Sequence, residues 1–106
     1  MNQNDNYLIE KSTNKLVLGC SNTIIPTGVK EIGDYAFKTN GINKIVLPDG
    51  IERIGEDAFF MTYIDYIYIP KSVTEIGKNC FYECKLLKSA DVKGEVNVIP
   101  YGMFQY

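Results

Sequence analysis

The chain repeats itself about every 22 residues, and this periodicity constrains its fold more than any other feature. Each copy contains a small or apolar residue that is followed directly by Phe. The pair occurs four times, as Ala36-Phe37, Ala58-Phe59, Cys80-Phe81 and Met103-Phe104, at spacings of 22, 22 and 23 residues. Upstream positions agree as well: Ile32, Ile54, Ile76 and Ile99 lie five residues before the Phe, and Pro26, Pro48 and Pro70 lie eleven before it. Chance does not readily produce such agreement, so the chain is an internal repeat array.

Each copy is predicted to contain a strand, a Pro-ended turn, a second short extended piece and a tight turn. The strand pattern has apolar residues at three offsets: Ile42, Ile45 and Leu47, then Ile64, Ile67 and Ile69, then Leu87, Ala90 and Val92, with a degenerate first copy of Cys20, Thr23 and Ile25. Pro lacks an N–H and ends the strand. The Gly that follows the second extended piece is expected to permit a tight or left-handed turn.

A unit of 22 residues cannot bury a core by itself, but stacked copies can cover each other's apolar faces. Equivalent strands then align as a parallel sheet, and Phe fills the interior of each coil. The sequence therefore predicts a leucine-rich repeat solenoid, α/β or mainly β, with a right-handed coil of parallel strands.

The run from Ile45 to Phe59, IVLPDGIERIGEDAF, resembles the BspA-like (Treponema-type) leucine-rich repeat. The resemblance covers about residues 20–104, and Cys84 matches the family's Cys three residues after Phe. Asn40 and Thr62 replace that Cys in other copies. The resemblance implies a secreted or cell-surface protein, and some similar proteins attach to host matrix proteins or to other bacteria.

The sequence divides into residues 1–19, an N-terminal tail with a capping β-hairpin, and residues 20–106, about four repeats of which the last is incomplete. The hairpin is expected to cover the open end of the stack, as a repeat array requires. No polar capping segment follows the last Phe, so we expect association between chains through the uncapped C-terminal end.

The outward strand face is the candidate partner-binding surface. Side chains alternate along a strand, which places two rows between the core positions. The candidate residues are Ile24, Lys44, Val46, Tyr66, Tyr68 and Asp91. Exposed Tyr is common where proteins bind one another, because its ring buries a large area and its hydroxyl remains hydrogen-bonded. Tyr also has high β propensity, so the pair could instead reflect strand formation alone.

The three Cys residues are interpreted as structural. Cys80 occupies the position of Ala36 and Ala58, and Cys20 has a core-facing strand position. A zinc site needs about four ligands, and the chain has no His. We therefore expect no metal and no cofactor.

Catalysis and nucleic-acid binding are not expected. The neighbouring acids Glu31 and Asp34, and Glu56 and Asp57, fall at repeat positions predicted to be solvated turns. No Ser or Thr has a His partner for a catalytic triad. The net charge is −2 and Arg53 is the one Arg, which disfavours nucleic acid as a partner. No apolar run is long enough to span a membrane, and no signal peptide is visible.

The sequence therefore favours a non-enzymatic protein-binding or adhesion-type module, with a protein ligand such as a host matrix or surface protein. A structural spacer and a carbohydrate-binding accessory domain are the alternatives.

Overall fold

The computed structural model of the chain describes residues 7–38 and 41–94. Several predictions fall outside these ranges. They concern the N-terminal tail, the end of the fourth repeat with Ile99 and Phe104, and self-association through the C-terminal end.

The described residues form seven short strands in two sheets. They are β1 (Tyr7–Glu10), β2 (Lys15–Gly19), β3 (Glu31–Ile32), β4 (Arg53–Ile54), β5 (Tyr66–Ile69), β6 (Glu75–Ile76) and β7 (Ser89–Val92). One sheet has the order β1-β2-β3-β4-β6, and the other pairs β5 with β7. All pairs are parallel except β1 with β2. The chain is a repeat solenoid, in which each coil adds one strand to a stacked sheet.

β1 and β2 form a hairpin that precedes the first repeat. β1 and β2 pair antiparallel around a polar turn at residues 11–14, with an irregularity between Leu8 and Ile9. β2 then pairs in parallel with β3, and its Leu16 is fully buried beside the repeat core. The hairpin therefore continues the larger sheet beyond the first repeat.

The larger sheet is built from the second, shorter extended piece of each repeat. Ile32 pairs with Ile54, and Ile54 pairs with Ile76, so that each residue faces its equivalent 22 positions away. Backbone bonds flank these pairs, such as Gly55 N–H to the Ile32 carbonyl at 2.8 Å and Gly77 N–H to the Ile54 carbonyl at 2.7 Å. The strands of this sheet therefore pair in a register that equals the 22-residue repeat period of the sequence.

The predicted strand face is paired only in part, and this corrects the sequence analysis. β5 and β7 form a ladder there, but the equivalent segments 20–25 and 42–47 are not strands. In the first copy, local bonds use the backbone instead: Cys20 N–H donates to Thr23 Oγ1 at 2.8 Å, and Thr23 N–H to the Cys20 carbonyl at 3.1 Å. Ser and Thr side chains compete with ladders in this way.

The predicted core positions are mostly buried. Four departures occur: Ile45 and Cys20 are half-buried, and Ala90 and Val92 are exposed. Ala90 lies on β7, whose one strand partner is β5, so the described coils cover it from one side only.

The repeat Phe residues form a continuous stack through the interior. The Phe37 and Phe59 ring centroids are 5.2 Å apart, and those of Phe59 and Phe81 are 5.4 Å apart. The ring planes differ by 5° and 2°, and all three side chains are fully buried. One large ring per coil therefore fills the centre of the solenoid.

The tight turn after each short strand differs from the sequence prediction. Its left-handed residue is not the repeat Gly but the residue two positions later: Tyr35, Asp57 and Asn79, with φ between 56° and 63°. The Gly is needed for close approach between coils. A Cβ added at Gly55 would lie 2.6 Å from the Asp34 nitrogen and 2.8 Å from the Gly33 carbonyl carbon.

Candidate binding surface

The outward strand face carries a row of apolar and aromatic side chains that the solenoid leaves exposed. Ile24 is 84% exposed and Val46 is 80% exposed, although both are large aliphatic residues. Tyr66 and Tyr68 follow on the next coil at 47% and 39%. These side chains belong to an apolar patch that the described coils leave uncovered.

The strand alternation positions the two Tyr side chains. In β5, Ile67 and Ile69 are fully buried, so Tyr66 and Tyr68 lie on the opposite side of the strand. β5 pairs with β7 in the expected register, with Tyr66 opposite Ser89 and Tyr68 opposite Asp91. Tyr66 and Tyr68 therefore lie on the side of β5 that faces away from the core.

The other candidate residues lie on the same face with different environments. Lys44 is exposed, whereas Asp91 is half-buried and its Oδ1 lies 3.3 Å from Lys93 Nζ. Asp91 therefore belongs to a local ion pair as well as to the surface row. Lys93 was not among the candidate residues. It occupies the position that Pro has in the other copies, so the repeat pattern gave no sign of a functional role.

A shallow groove separates the first two coils on this face. Its volume is about 200 Å³, and it is lined by Thr23, Ile24, Ile25, Lys44, Ile45 and Val46. The lining is almost wholly aliphatic, with the Lys44 ammonium group as its charged component. Together with the Tyr pair, it forms what we call the strand-face surface: Ile24, Lys44, Val46, Tyr66 and Tyr68.

The groups of the strand-face surface are suited to non-covalent binding and not to acid–base catalysis. Its residues offer aliphatic area, two aromatic rings, two phenolic hydroxyl groups and one ammonium group. A partner would gain by burying the aliphatic and aromatic area and by hydrogen-bonding the hydroxyl groups.

The buried cysteines are packed as structural residues. Cys80 and Cys84 are fully buried, and Cys84 Sγ donates to the Phe59 carbonyl at 2.9 Å. It also lies 3.3 Å from Thr62 Oγ1, the residue that takes the Cys position in the previous copy. Desolvation raises the pKa of Cys84, and raises that of Cys80 well above the ordinary thiol value. Burial therefore favours the neutral form of both thiols, which is not the nucleophilic form.

The acidic residues of the turns support the stack. Asp34 Oδ1 accepts the Glu56 N–H at 2.8 Å, which joins two consecutive coils. Burial raises the pKa of Asp57, whose Oδ1 has no hydrogen-bond partner among residues 7–38 and 41–94. The described residues contain no group of three His, Cys, Asp or Glu side chains placed to hold a metal ion.

A charge ladder that the sequence analysis missed runs along the larger sheet. Arg53 Nη1 lies 2.6 Å from Glu31 Oε2, and Arg53 Nε lies 3.1 Å from Glu75 Oε2. The three side chains are 22 residues apart and their residues pair across β3, β4 and β6. Opposite charges at intervals of 22 residues could have suggested these ion pairs from the sequence. The three side chains become neighbours only because the strands pair in parallel register.

No helix within the described ranges has the length and apolarity needed to cross a membrane.

Comparison with known proteins identifies the repeat. The family described as "BspA type Leucine rich repeat region (6 copies)" matches residues 9–106. No curated protein matches the chain significantly.

Three solved structures share the fold. A leucine rich cell surface protein from Faecalibacterium prausnitzii is 37% identical over 68% of this chain and 19% of its own, with a TM-score of 0.66. A leucine-rich repeat protein from Eubacterium ventriosum is 29% identical over 95% of this chain and 31% of its own, with a TM-score of 0.79. The pneumococcal vaccine antigen PcpA is 22% identical over 87% of this chain and 23% of its own, with a TM-score of 0.64. The chain thus spans a third or less of each of these proteins.

Proposed function

The chain belongs to the BspA-type leucine-rich repeat family, and on that premise we propose that it is a non-enzymatic protein-binding module of a secreted or cell-surface protein. Its ligand is a protein, such as a host matrix or surface protein, held on the strand-face surface. We also propose that the coil is right-handed, because connections between parallel strands of one sheet almost always have that hand.

The similar structures support the surface location. One is described as a cell surface protein and is 37% identical to this chain. An array of stacked coils also suits a position outside the cell, since it offers a long, rigid face whose side chains vary without disturbing the core.

The exposure of Ile24 and Val46 is the observation that carries the proposed binding role. These two residues are equivalent positions 22 residues apart, and both are at least 80% exposed. Tyr68 continues this row on the next coil, and Tyr66 lies in the adjacent row with Lys44. Interface cores are enriched in Tyr and depleted in charged residues, and Ile24, Val46 and Tyr68 have that composition.

A binding assay with matched variants tests the proposal. The whole chain would be passed over a panel of immobilised extracellular-matrix proteins, beside Ile24→Ser/Val46→Ser and Tyr66→Ala/Tyr68→Ala variants. The control is Tyr63→Ala, which removes a 59% exposed Tyr outside the strand-face surface. We expect the first two variants to lose binding while circular dichroism and melting temperature stay unchanged, and the control to bind normally.

The result that contradicts the proposal is equally definite. If the wild-type chain binds no protein of the panel, the module is better explained as a structural spacer. If it binds and the control loses affinity as much as the two variants, the partner contacts a different face.

A further inference from the structure

A second, polar groove lies beside Tyr68 at the edge formed by the Pro turns. It is open to solvent, has a volume of about 760 Å³, and is lined by Asp49, Tyr68, Lys71, Ser72 and Lys93. The lining side chains come from three successive coils. They combine two ammonium groups, one carboxylate, the Ser72 hydroxyl and the Tyr68 phenol, a set of groups unlike the aliphatic lining between the first two coils.

The groove coincides with two departures from the repeat. Lys93 stands where the other copies have Pro26, Pro48 and Pro70. Ser72 stands where two other copies have Gly28 and Gly50. Gly28 and Gly50 have φ values of 95° and 101°, whereas Ser72 is not among the positive-φ residues. The turn therefore changes where Ser replaces Gly. The two substitutions place a hydroxyl group and an ammonium group at positions where the other copies carry Gly and Pro.

The polar groups are held in place by neighbouring coils. Ser72 Oγ accepts the Gly50 N–H at 3.0 Å, so its own proton is free to be donated to a ligand. Lys93 N–H donates to the Ile69 carbonyl at 2.9 Å, a bond that Pro could not make, and Lys93 Nζ lies 3.3 Å from Asp91. Lys71 has no carboxylate within ion-pair distance among residues 7–38 and 41–94. The groove thus offers one uncompensated cation, one partly compensated cation and one oriented hydroxyl.

We propose that the groove lined by Asp49, Tyr68, Lys71, Ser72 and Lys93 binds a saccharide that carries a carboxylate group. The two ammonium groups pair with the sugar carboxylate. The Tyr68 ring, which is 39% exposed, offers a flat apolar surface to one face of the sugar ring. The Ser72 hydroxyl donates to a ring or hydroxyl oxygen, and Asp49 accepts from sugar hydroxyl groups.

Asp49 favours a saccharide over an acidic peptide. The Asp49 carboxylate accepts hydrogen bonds from hydroxyl groups of a ligand. It repels a ligand that carries several adjacent carboxylates, and Asp91, beside Lys93, adds to this repulsion. A ligand rich in hydroxyl donors with well-separated carboxylates satisfies both the lysines and Asp49. This site goes beyond the protein binding proposed above and does not rest on it, although Tyr68 borders both surfaces.

The test titrates the whole ¹⁵N-labelled chain with a trisaccharide of galacturonic acid and, in parallel, with its methyl ester. The ester lacks the carboxylate charge and differs otherwise only by a methyl group on each acid. We expect the acid to shift the amide signals of the five groove residues and the ester to shift them much less. A Lys71→Gln/Lys93→Gln variant is expected to weaken binding by about tenfold, as the loss of a strong charge-assisted contact does.

Two further variants separate the site from general charge and from folding. Lys11→Gln/Lys30→Gln removes the same charge at two exposed positions outside the groove and should bind normally. Tyr68→Leu retains apolar area but removes the ring, and should weaken binding while the melting temperature is kept. The proposal is overturned if neither sugar shifts the groove signals at millimolar concentration, or if the ester binds as well as the acid. It is also overturned if a Glu-Glu-Glu peptide binds more tightly than the sugar, which would make the groove a site for acidic peptides.

Discussion

The rings of Phe37 and Phe59, 22 residues apart, stack with their centroids 5.2 Å apart and their planes within 5° of parallel. Phe81 continues the stack beyond Phe59. Phe59 therefore has a ring on both sides and no solvent contact. The solenoid depends on this central column, since no single coil buries a core alone.

Replacing Phe59 with Ala should lower the free energy of unfolding by about 3–5 kcal/mol, because it leaves a cavity within the stack. Denaturation in urea measures the loss. Phe60→Ala is the matched control, since that ring is half-buried and stacks on Tyr82 at 5.5 Å near the surface. Equal losses in the two variants would contradict the assignment of Phe59 to the centre of the core.

Gly55→Ala should destabilise the protein by forcing two coils apart. The new Cβ would meet backbone atoms of Gly33 and Asp34, which cannot move aside as a flexible side chain can. Overpacking typically costs about 1–3 kcal/mol, and the rigid neighbours place this variant near the upper value. Gly50→Ala is the comparison: its Cβ would meet nothing within 4 Å, although its φ of 101° strains Ala. Urea denaturation should show the larger loss for Gly55→Ala, and the reverse order would mean that backbone conformation outweighs coil spacing.

Arg53→Met should cost about 1 kcal/mol at low salt, since exposed ion pairs each contribute a fraction of that. Arg53 bridges Glu31 and Glu75, so its loss also leaves two carboxylates without their shared cation. The difference from wild type should shrink in 1 M salt, where charges are screened. Lys78→Met removes a single pair with Glu56 at 3.6 Å and should have little effect. A salt-independent loss in Arg53→Met would show that packing of the Arg stem, rather than charge, is responsible.

Alkaline pH should destabilise the protein through Cys80. Burial raises its pKa well above the ordinary thiol value of 9.0, so the folded protein keeps the proton that the unfolded chain releases. The stability from the neutral buried thiol is present below pH 9.0 and decreases as the pH rises above it. Cys80→Ala, which restores the residue of two other copies, should show a smaller decrease between pH 8 and pH 10 in urea denaturation. Identical pH profiles for the two proteins would rule out this contribution.

Much of the fold was predictable because the same local pattern occurs in every copy. Ile32, Ile54 and Ile76 are buried, and each lies five residues before a buried Phe. The candidate face was also located by alternation, which placed Tyr66 and Tyr68 on the outer side of β5. The sequence could not show that segments 20–25 and 42–47 would lack regular strands, since the apolar pattern of residues 42–47 matches that of the copies that form β5 and β7.

The sequence by itself determined the repeat period, the stacking of coils and the residues that face the core, because each depends on patterns within about one copy of the chain. Only the tertiary structure decided which extended piece forms the longer sheet, that Arg53 lies between Glu31 and Glu75, and that Ser72 and Lys93 line one groove. These features depend on which side chains meet across coils. Side chains 22 or more residues apart become neighbours only after the coils have stacked, and the repeat period alone does not show which extended piece of each copy pairs with the next coil.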